Sequence, residues 1–292
     1  MGSIIPKNNL KVRYTTINKG KNIKLGLLGD FHISDVLMPK IFNDVFNTLK
    51  KEKVNYIFVL GDVIDSPKYV LNNGVMDNVK SILEKLGEIA KTFVILGNHD
   101  YIGKIKDEYD ESYKARFCDL INSISNVKLL KDEVYEDKDI YLYGYLNKYR
   151  YYKDENDKNV EDPKVLYKDL KPKISSSKTK INIIWMHSPH SLKDEKVVNL
   201  LKDYDIIACG HMHNGCTFNF LDNINSNRGL INPKKELFPS LVRGIKKYDS
   251  SYLIMSGGIT KISKANNIIL HPFNILFNPQ MDIVTLNKED IC

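Results

Sequence analysis

The residues able to do chemistry are gathered in five stretches of one grammar: an apolar run stops, and oxygen or nitrogen donors follow at once. Lys24 to Leu28 runs into Gly29-Asp30-Phe31-His32, and Tyr56 to Leu60 runs into Gly61-Asp62-Val63-Ile64-Asp65. Thr92 to Leu96 runs into Gly97-Asn98-His99-Asp100, and Ile181 to Met186 into His187-Ser188-Pro189-His190. Ile206 to Cys209 runs into Gly210-His211-Met212-His213. Six of the seven histidines lie in these stretches, and only His271 does not. One Gly-Asp after a strand is ordinary turn chemistry, and a lone histidine is ordinarily a hydrogen-bonded surface or core residue. Five such stretches with mixed carboxylate, amide and imidazole groups point instead to a shared site. Those ligand types suit manganese, iron or zinc better than calcium or magnesium.

Donors of this kind need rigid carriers. The apolar runs are rich in Ile, Val and Leu, the pattern of strands covered on both faces. A helix is predicted from Pro39 to Lys51, with Ile41, Phe42, Val45, Phe46 and Leu49 at helical spacing. A second is predicted from Met76 to Ala90, with Val79, Ile82, Leu83, Leu86 and Ile89 on one face. Strands alternating with such helices imply βαβ units, and open α/β sheets place their sites at the carboxyl ends of the strands.

The flanks are less regular. Leu10 to Tyr14 alternates like an edge strand. A helix is expected from Glu111 to Ile124. Val127 to Leu130, Glu133 to Tyr135 and Ile140 to Tyr145 read as short antiparallel strands. Residues 147–180, dense in Lys, Asp and Tyr, read as an exposed polar insertion with one helix around Pro163 to Leu170. The alternative for that insertion is a lid offering Tyr149, Tyr151 and Tyr152 to a substrate. Another helix is expected from Lys193 to Lys202. Ser251 to Ser256, Ile268 to Leu270 and Asp282 to Leu286 are apolar enough for strands completing a second sheet.

Composition bounds the rest. The chain has 292 residues, 42% of them hydrophobic, enough for a sizeable core. One domain over 1–292 is the simplest organisation, since no repeat or long linker interrupts the motif order. The formal charge of +7 comes mostly from scattered Lys, with Arg only at 13, 116, 150, 228 and 243. An attraction to anionic membrane or acidic polymers is compatible with it. The four cysteines show no Cys-x-x-Cys spacing, so neither a zinc ribbon nor a disulfide framework is indicated. No apolar run is long enough to span a bilayer.

Asp-x-His, Gly-Asp-x-x-Asp, Gly-Asn-His-Asp, a lone His and Gly-His-x-His, in this order from about Lys24 to His213, resemble the calcineurin-like metallophosphoesterases. The resemblance implies an α/β fold: a four-layer α-β-β-α sandwich of two mixed sheets with a dinuclear metal site at the strand C-terminal ends. It assigns Asp30, His32, Asp62 and His213 to one metal and Asp62, Asn98, His187 and His211 to the other, with Asp62 bridging. It makes His99 the general acid at the leaving oxygen and Asp65 the carboxylate that holds it. Two divalent ions, manganese favoured over iron or zinc, would clamp the phosphoryl oxygens and supply an attacking hydroxide between them. The implied activity is hydrolysis of a phosphomonoester, a diester or a pyrophosphate.

The departures narrow the substrate. Where family protein phosphatases carry an Arg that grips phosphate, this chain has Ser66, which argues against protein phosphatase activity. The His-x-Pro motif ends in His190 instead of Asp, and Asn214 replaces the usual Gly after the last motif. A small phosphoester or a phospholipid-like substrate is therefore expected, with a membrane surface as a candidate partner. Gly-Asp-x-x-Asp-Ser and Gly-Asn-His-Asp also resemble the recombination nucleases, so DNA is the runner-up substrate. A non-catalytic protein-binding scaffold is the third reading, and the complete ligand set argues against it. The tail from Ser256-Gly257-Gly258 to Leu286 resembles the bacterial branch that is often membrane-anchored or exported. With the Met1-Gly2-Ser3 start, it leads us to expect a hydrophobic anchor upstream of Ile4 in the natural protein, and otherwise a cytoplasmic location.

Overall fold

The structure, a computed structural model, describes residues 10–35, 39–101, 111–152, 161–216, 227–260 and 279–287. In chain order the elements are β1 (Lys11–Asn18), β2 (Ile23–Leu28), α1 (Pro39–Glu52), β3 (Tyr56–Val59), α2 (Asn73–Ile89) and β4 (Lys91–Val94). Next come α3 (Asn98–Tyr101), α4 (Glu111–Asn122), β5 (Val127–Leu129), β6 (Glu133–Glu136), β7 (Ile140–Gly144), α5 (Tyr149–Tyr152) and α6 (Pro163–Leu170). The chain continues through β8 (Ile181–Trp185), α7 (Glu195–Leu200), β9 (Ile206–Cys209), β10 (Gly244–Tyr248), β11 (Ser251–Met255) and β12 (Gln280–Asn287).

Among the described residues, twelve strands make two mixed six-stranded sheets, ordered β1-β12-β2-β3-β4-β5 and β10-β11-β9-β8-β7-β6. The period-2 alternation of strand side chains divides the core into three layers. Tyr56 and Phe58 of β3 face the other sheet, while Ile57 and Val59 face the helices. Between the sheets, Leu25, Leu27, Phe58 and Phe93 meet Leu142, Ile183, Trp185 and Ala208. Trp185 packs edge-on against Phe58 with ring centroids 4.7 Å apart. Outside the first sheet lie Val45, Leu49, Val79, Leu83, Leu86, Phe117 and Ile121 of α1, α2 and α4. Outside the second lie Tyr151, Leu166, Leu170, Val197 and Leu201. The result is the expected α-β-β-α sandwich.

Local signals set the helix ends. Asn72 caps α2 by accepting a hydrogen bond from the Val75 amide at 3.2 Å. After α1 the chain turns at Lys53, which is left-handed with φ 52°.

Three expectations are corrected. The segment at Asp282 to Leu286 does not join the second sheet. As part of β12 it lies in the first, parallel to β1 and antiparallel to β2, with Val284 opposite Leu25. Val127 to Leu129 forms no antiparallel set with β6 and β7 but extends the first sheet parallel to β4. Of these three strands, β6 and β7 alone pair antiparallel with one another, and β7 then runs parallel to β8. The 147–180 segment carries the expected helix at Pro163–Leu170, but its described part is no exposed flap. Tyr151, Tyr152, Leu166 and Leu170 are buried on the second sheet, because that sheet's outer face needs an apolar cover. The lid reading for Tyr151 and Tyr152 falls with it. The expected strand at Ile268 to Leu270 and the residues around Ile4 lie outside the described residues.

Candidate metal centre

Strands β2, β3, β4, β8 and β9 end on one side of the sandwich, and the loops that follow carry the donors. Their backbones are unusual. Asp30, His32, Asp62, His211 and His213 all have positive φ, between 43° and 72°. L-residues in that region are strained and cluster at functional sites. The loops brace one another through their main chains. Asp30 N donates to Gly61 O at 3.0 Å, His32 N to Asp62 O at 2.9 Å and Gly210 N to His187 O at 2.9 Å. Two glycines make the close approach possible. Gly61 has φ +91°, and a Cβ at Gly97 would stand 2.2 Å from Asp62 Oδ1. Asp100 ties the second loop to the third, accepting from Gly97 N at 2.7 Å and Ile64 N at 3.0 Å. Burial, with the neighbouring Asp62 charge, pushes its carboxyl up to about 7.

All seven expected donors converge here. His187 Nε2 lies 3.1 Å from Asp62 Oδ2, 3.2 Å from Asn98 Oδ1 and 3.2 Å from His211 Nδ1. His32 Nε2 lies 3.1 Å from His213 Nε2 and 3.7 Å from the same Asp62 Oδ2. Asp30 Oδ1 is 4.0 Å from His213 Nε2. The other Asp62 oxygen, Oδ1, accepts from the His99 amide at 2.8 Å, so Oδ2 is the atom shared by the two sets. His187 is aimed by its opposite nitrogen, since Nδ1 stands 2.7 Å from Leu60 O.

This donor set fits two divalent cations. Facing nitrogens and oxygens 3.1–3.2 Å apart have the spacing of donors around one small ion with bonds of about 2.0–2.2 Å. The charges agree. Burial would lower His187, yet the Asp62 and Asp30 charges outweigh it and raise the ring to about 10. Burial works against the Asp62 charge, but His187 and His99 hold this carboxyl well below its usual range. Burial raises Asp30. These buried carboxylates demand positive charge, which protons or metal ions can provide. The donors are all oxygen and nitrogen. Cys209, nearest in sequence, is buried in the outer core, and burial raises its thiol.

His99 stands beside this centre. Its ring meets His32 edge-on, with centroids 4.6 Å apart. Its Nδ1 lies 2.7 Å from the main-chain oxygen of Asp65, leaving Nε2 as the other working nitrogen. Burial lowers its pKa. Asp65, the residue expected to hold His99, thus meets the ring through its main-chain oxygen. Its carboxylate is 3.5 Å from His32 Nδ1 and within 4.8 Å of a His99 nitrogen. The reason is local: Asp65 N donates to Ile33 O at 3.1 Å, and the Ile33–Ile64 bridge lays this loop along the His32 loop.

A sequence model of the calcineurin-like phosphoesterases matches residues 23–215. The chain belongs to that family. An uncharacterized metallophosphoesterase of Aquifex aeolicus is 25% identical over 279 residues, 93% of this chain and 87% of the relative. One from Campylobacter jejuni is 23% identical over 215 residues, 73% of this chain. The matched region spans only half of that relative's length. Among solved structures, a dimetal phosphatase from Danio rerio is 13% identical with a TM-score of 0.44, covering 81% of this chain and 87% of the other.

Residues outside the motifs also contact the candidate donors. Asn147 Oδ1 accepts from the His187 amide at 3.2 Å. Thr260 donates to Asp30 O from its amide at 3.2 Å and from its hydroxyl at 3.1 Å. Glu161 Oε1 lies 3.2 Å from His211 Nε2 and accepts from Ser188 Oγ at 2.6 Å. Burial would raise Glu161, but the His211 charge and these hydrogen bonds hold it at about 2. Asn147 follows the apolar β7 run, so it shares the strand-end grammar of the motifs. Glu161 carries no sequence signal. His190 faces away from the donor set in its polar contacts: Nε2 is 3.2 Å from Lys234 Nζ and 4.0 Å from Glu236 Oε1.

Proposed function

We propose that this chain hydrolyses a phosphoester at a dinuclear metal centre, with His99 as general acid. The observation that carries the reading is Asp62 Oδ2 lying between two histidine sets, 3.1 Å from His187 and 3.7 Å from His32. When bound, two divalent ions supply charge against the phosphoryl oxygens and a nucleophile at neutral pH. The family supports this class of chemistry. The donors mix carboxylate, amide and imidazole without thiolate, a set that suits manganese, iron or zinc, and manganese is the ion we favour.

The chain's own residues do the rest. Asp30, His32 and His213 would hold one ion, Asn98, His187 and His211 the other, and Asp62 both. His99 cannot serve as a further ligand through Nδ1, since Asp65 O takes that nitrogen. Its Nε2 is then the atom that delivers a proton to the leaving oxygen. With Ser66 where an Arg would grip a phosphoprotein, the substrate class is a small or lipid-like phosphoester.

The test is a panel of phosphomonoesters, diesters, nucleotides and lipid pyrophosphates assayed on the manganese-reconstituted protein, with single-stranded and duplex DNA alongside. A small or lipid ester should turn over fastest. DNA cleaved faster than every small ester, with a steep loss on adding salt, would replace this reading by the nuclease one.

A further inference from the structure

We propose that Glu161 is the positioning residue for His211: its carboxylate accepts a hydrogen bond from the Nε2–H of that ring and so leaves the Nδ1 lone pair for one of the two ions. The proposal builds on the reading of this site as a metal centre. A neutral imidazole has one N–H and one lone pair, and the hydrogen bond at one nitrogen decides which of them faces a metal. His211 turns Nδ1 inward, 3.2 Å from His187 Nε2, and Nε2 outward, 3.2 Å from Glu161 Oε1. His187 is held the opposite way, Nε2 inward and Nδ1 on the Leu60 carbonyl. Two rings in one half-site thus present different nitrogens, each fixed by its own partner.

Glu161 is built to stay there. It is buried, at 3% exposure, and sits in a left-handed backbone conformation with φ 45°. Ser188, the neighbour of the expected ligand His187, donates to the same carboxylate oxygen. Ser191 Oγ donates to the Glu161 main-chain oxygen at 3.3 Å. The next residue, Asp162, caps α6 by accepting from Lys164 N, and α6 is anchored through the buried Leu166 and Leu170. A buried carboxylate is costly unless paired, and the partners of Oε1 are the His211 ring and the serine beside a ligand. The described part of the 147–180 segment therefore supplies a part of the centre.

Two readouts on full-length protein test this. The first is the histidine 15N spectrum of metal-stripped protein, recorded where the rings are neutral. Wild type should show His211 as the Nε2–H tautomer, and Glu161→Ala should lose that preference. An unchanged tautomer would overturn the proposal. The second is manganese binding by calorimetry. Glu161→Ala should weaken one of the two ions by about 10–100-fold and leave the other unchanged. Glu161→Gln retains an accepting oxygen and the side-chain shape, so it should keep the tautomer and recover much of the affinity. Equal weakening of both ions, no weakening, or no recovery in Glu161→Gln would also overturn it. If Glu161→Ala does not fold, Glu161→Gln against wild type still decides, because its affinity loss must fall on one ion. Wild type binding fewer than two ions would instead refute the metal-centre reading, and the tautomer spectrum would still judge Glu161.

Discussion

At the scale of residues, holding metal and moving a proton fall to different side chains. Asn98 and His99 are consecutive, yet Asn98 Oδ1 faces His187 while the His99 amide and ring are held by Asp62 and Asp65. His99→Asn should therefore keep both metals and nearly unchanged stability, while turnover falls by about 10²–10⁴. The loss should be greatest for alkyl esters and smallest for nitrophenyl esters, whose leaving oxygen hardly needs a proton. A leaving-group series read on wild type and variant checks this, and an equal loss across the series would remove His99 from the acid role. The convergence of the seven candidate donors was legible in the sequence because each follows an apolar run that reads as a strand end. The Asp65 contact was not, because a motif position says which residue is near and not which oxygen points where. Glu161 was hidden for another reason: in a segment rich in Lys and Asp, one acidic residue more looks like solvated surface.

At the scale of elements, helices and parallel strands read easily from periodicity, and pairing partners did not. The apolar pattern of β12 shows that both its faces are buried, but nothing local says that Val284 will sit opposite Leu25 instead of extending the second sheet. The same holds for β5, where only distant pairing with β4 decides the sheet. In the 147–180 segment the polar residues outnumber the few that pack on the second sheet, so those few do not stand out in the sequence. Leu166 and Leu170 lie four apart on α6, fully buried beside Tyr151. Leu170→Ala should then cost about 2–5 kcal/mol in urea unfolding, the usual loss for a buried leucine. A change within about 0.5 kcal/mol, as for an exposed position, would return this helix to the surface.

At the scale of the whole molecule, two six-stranded sheets pack through Phe58, Phe93 and Trp185 and aim five strand ends at one point. Each half contributes what the other lacks. The first sheet brings the carboxylates and the amide, together with His32 and His99, and the second brings His187, His211 and His213. Neither sheet alone could surround two ions, so the packing between them is part of the chemistry. Among the described residues no helix is long and apolar enough to cross a membrane. The most direct test of the central claim is a manganese titration of metal-stripped protein, reading hydrolysis of a nitrophenyl phosphoester at each equivalent in wild type and in Asp62→Asn. Hydrolysis should emerge with the second equivalent in wild type and stay absent in Asp62→Asn, which should also fail to hold two ions tightly. Full hydrolysis at one equivalent, or two tightly held ions in Asp62→Asn, would contradict a centre bridged by Asp62.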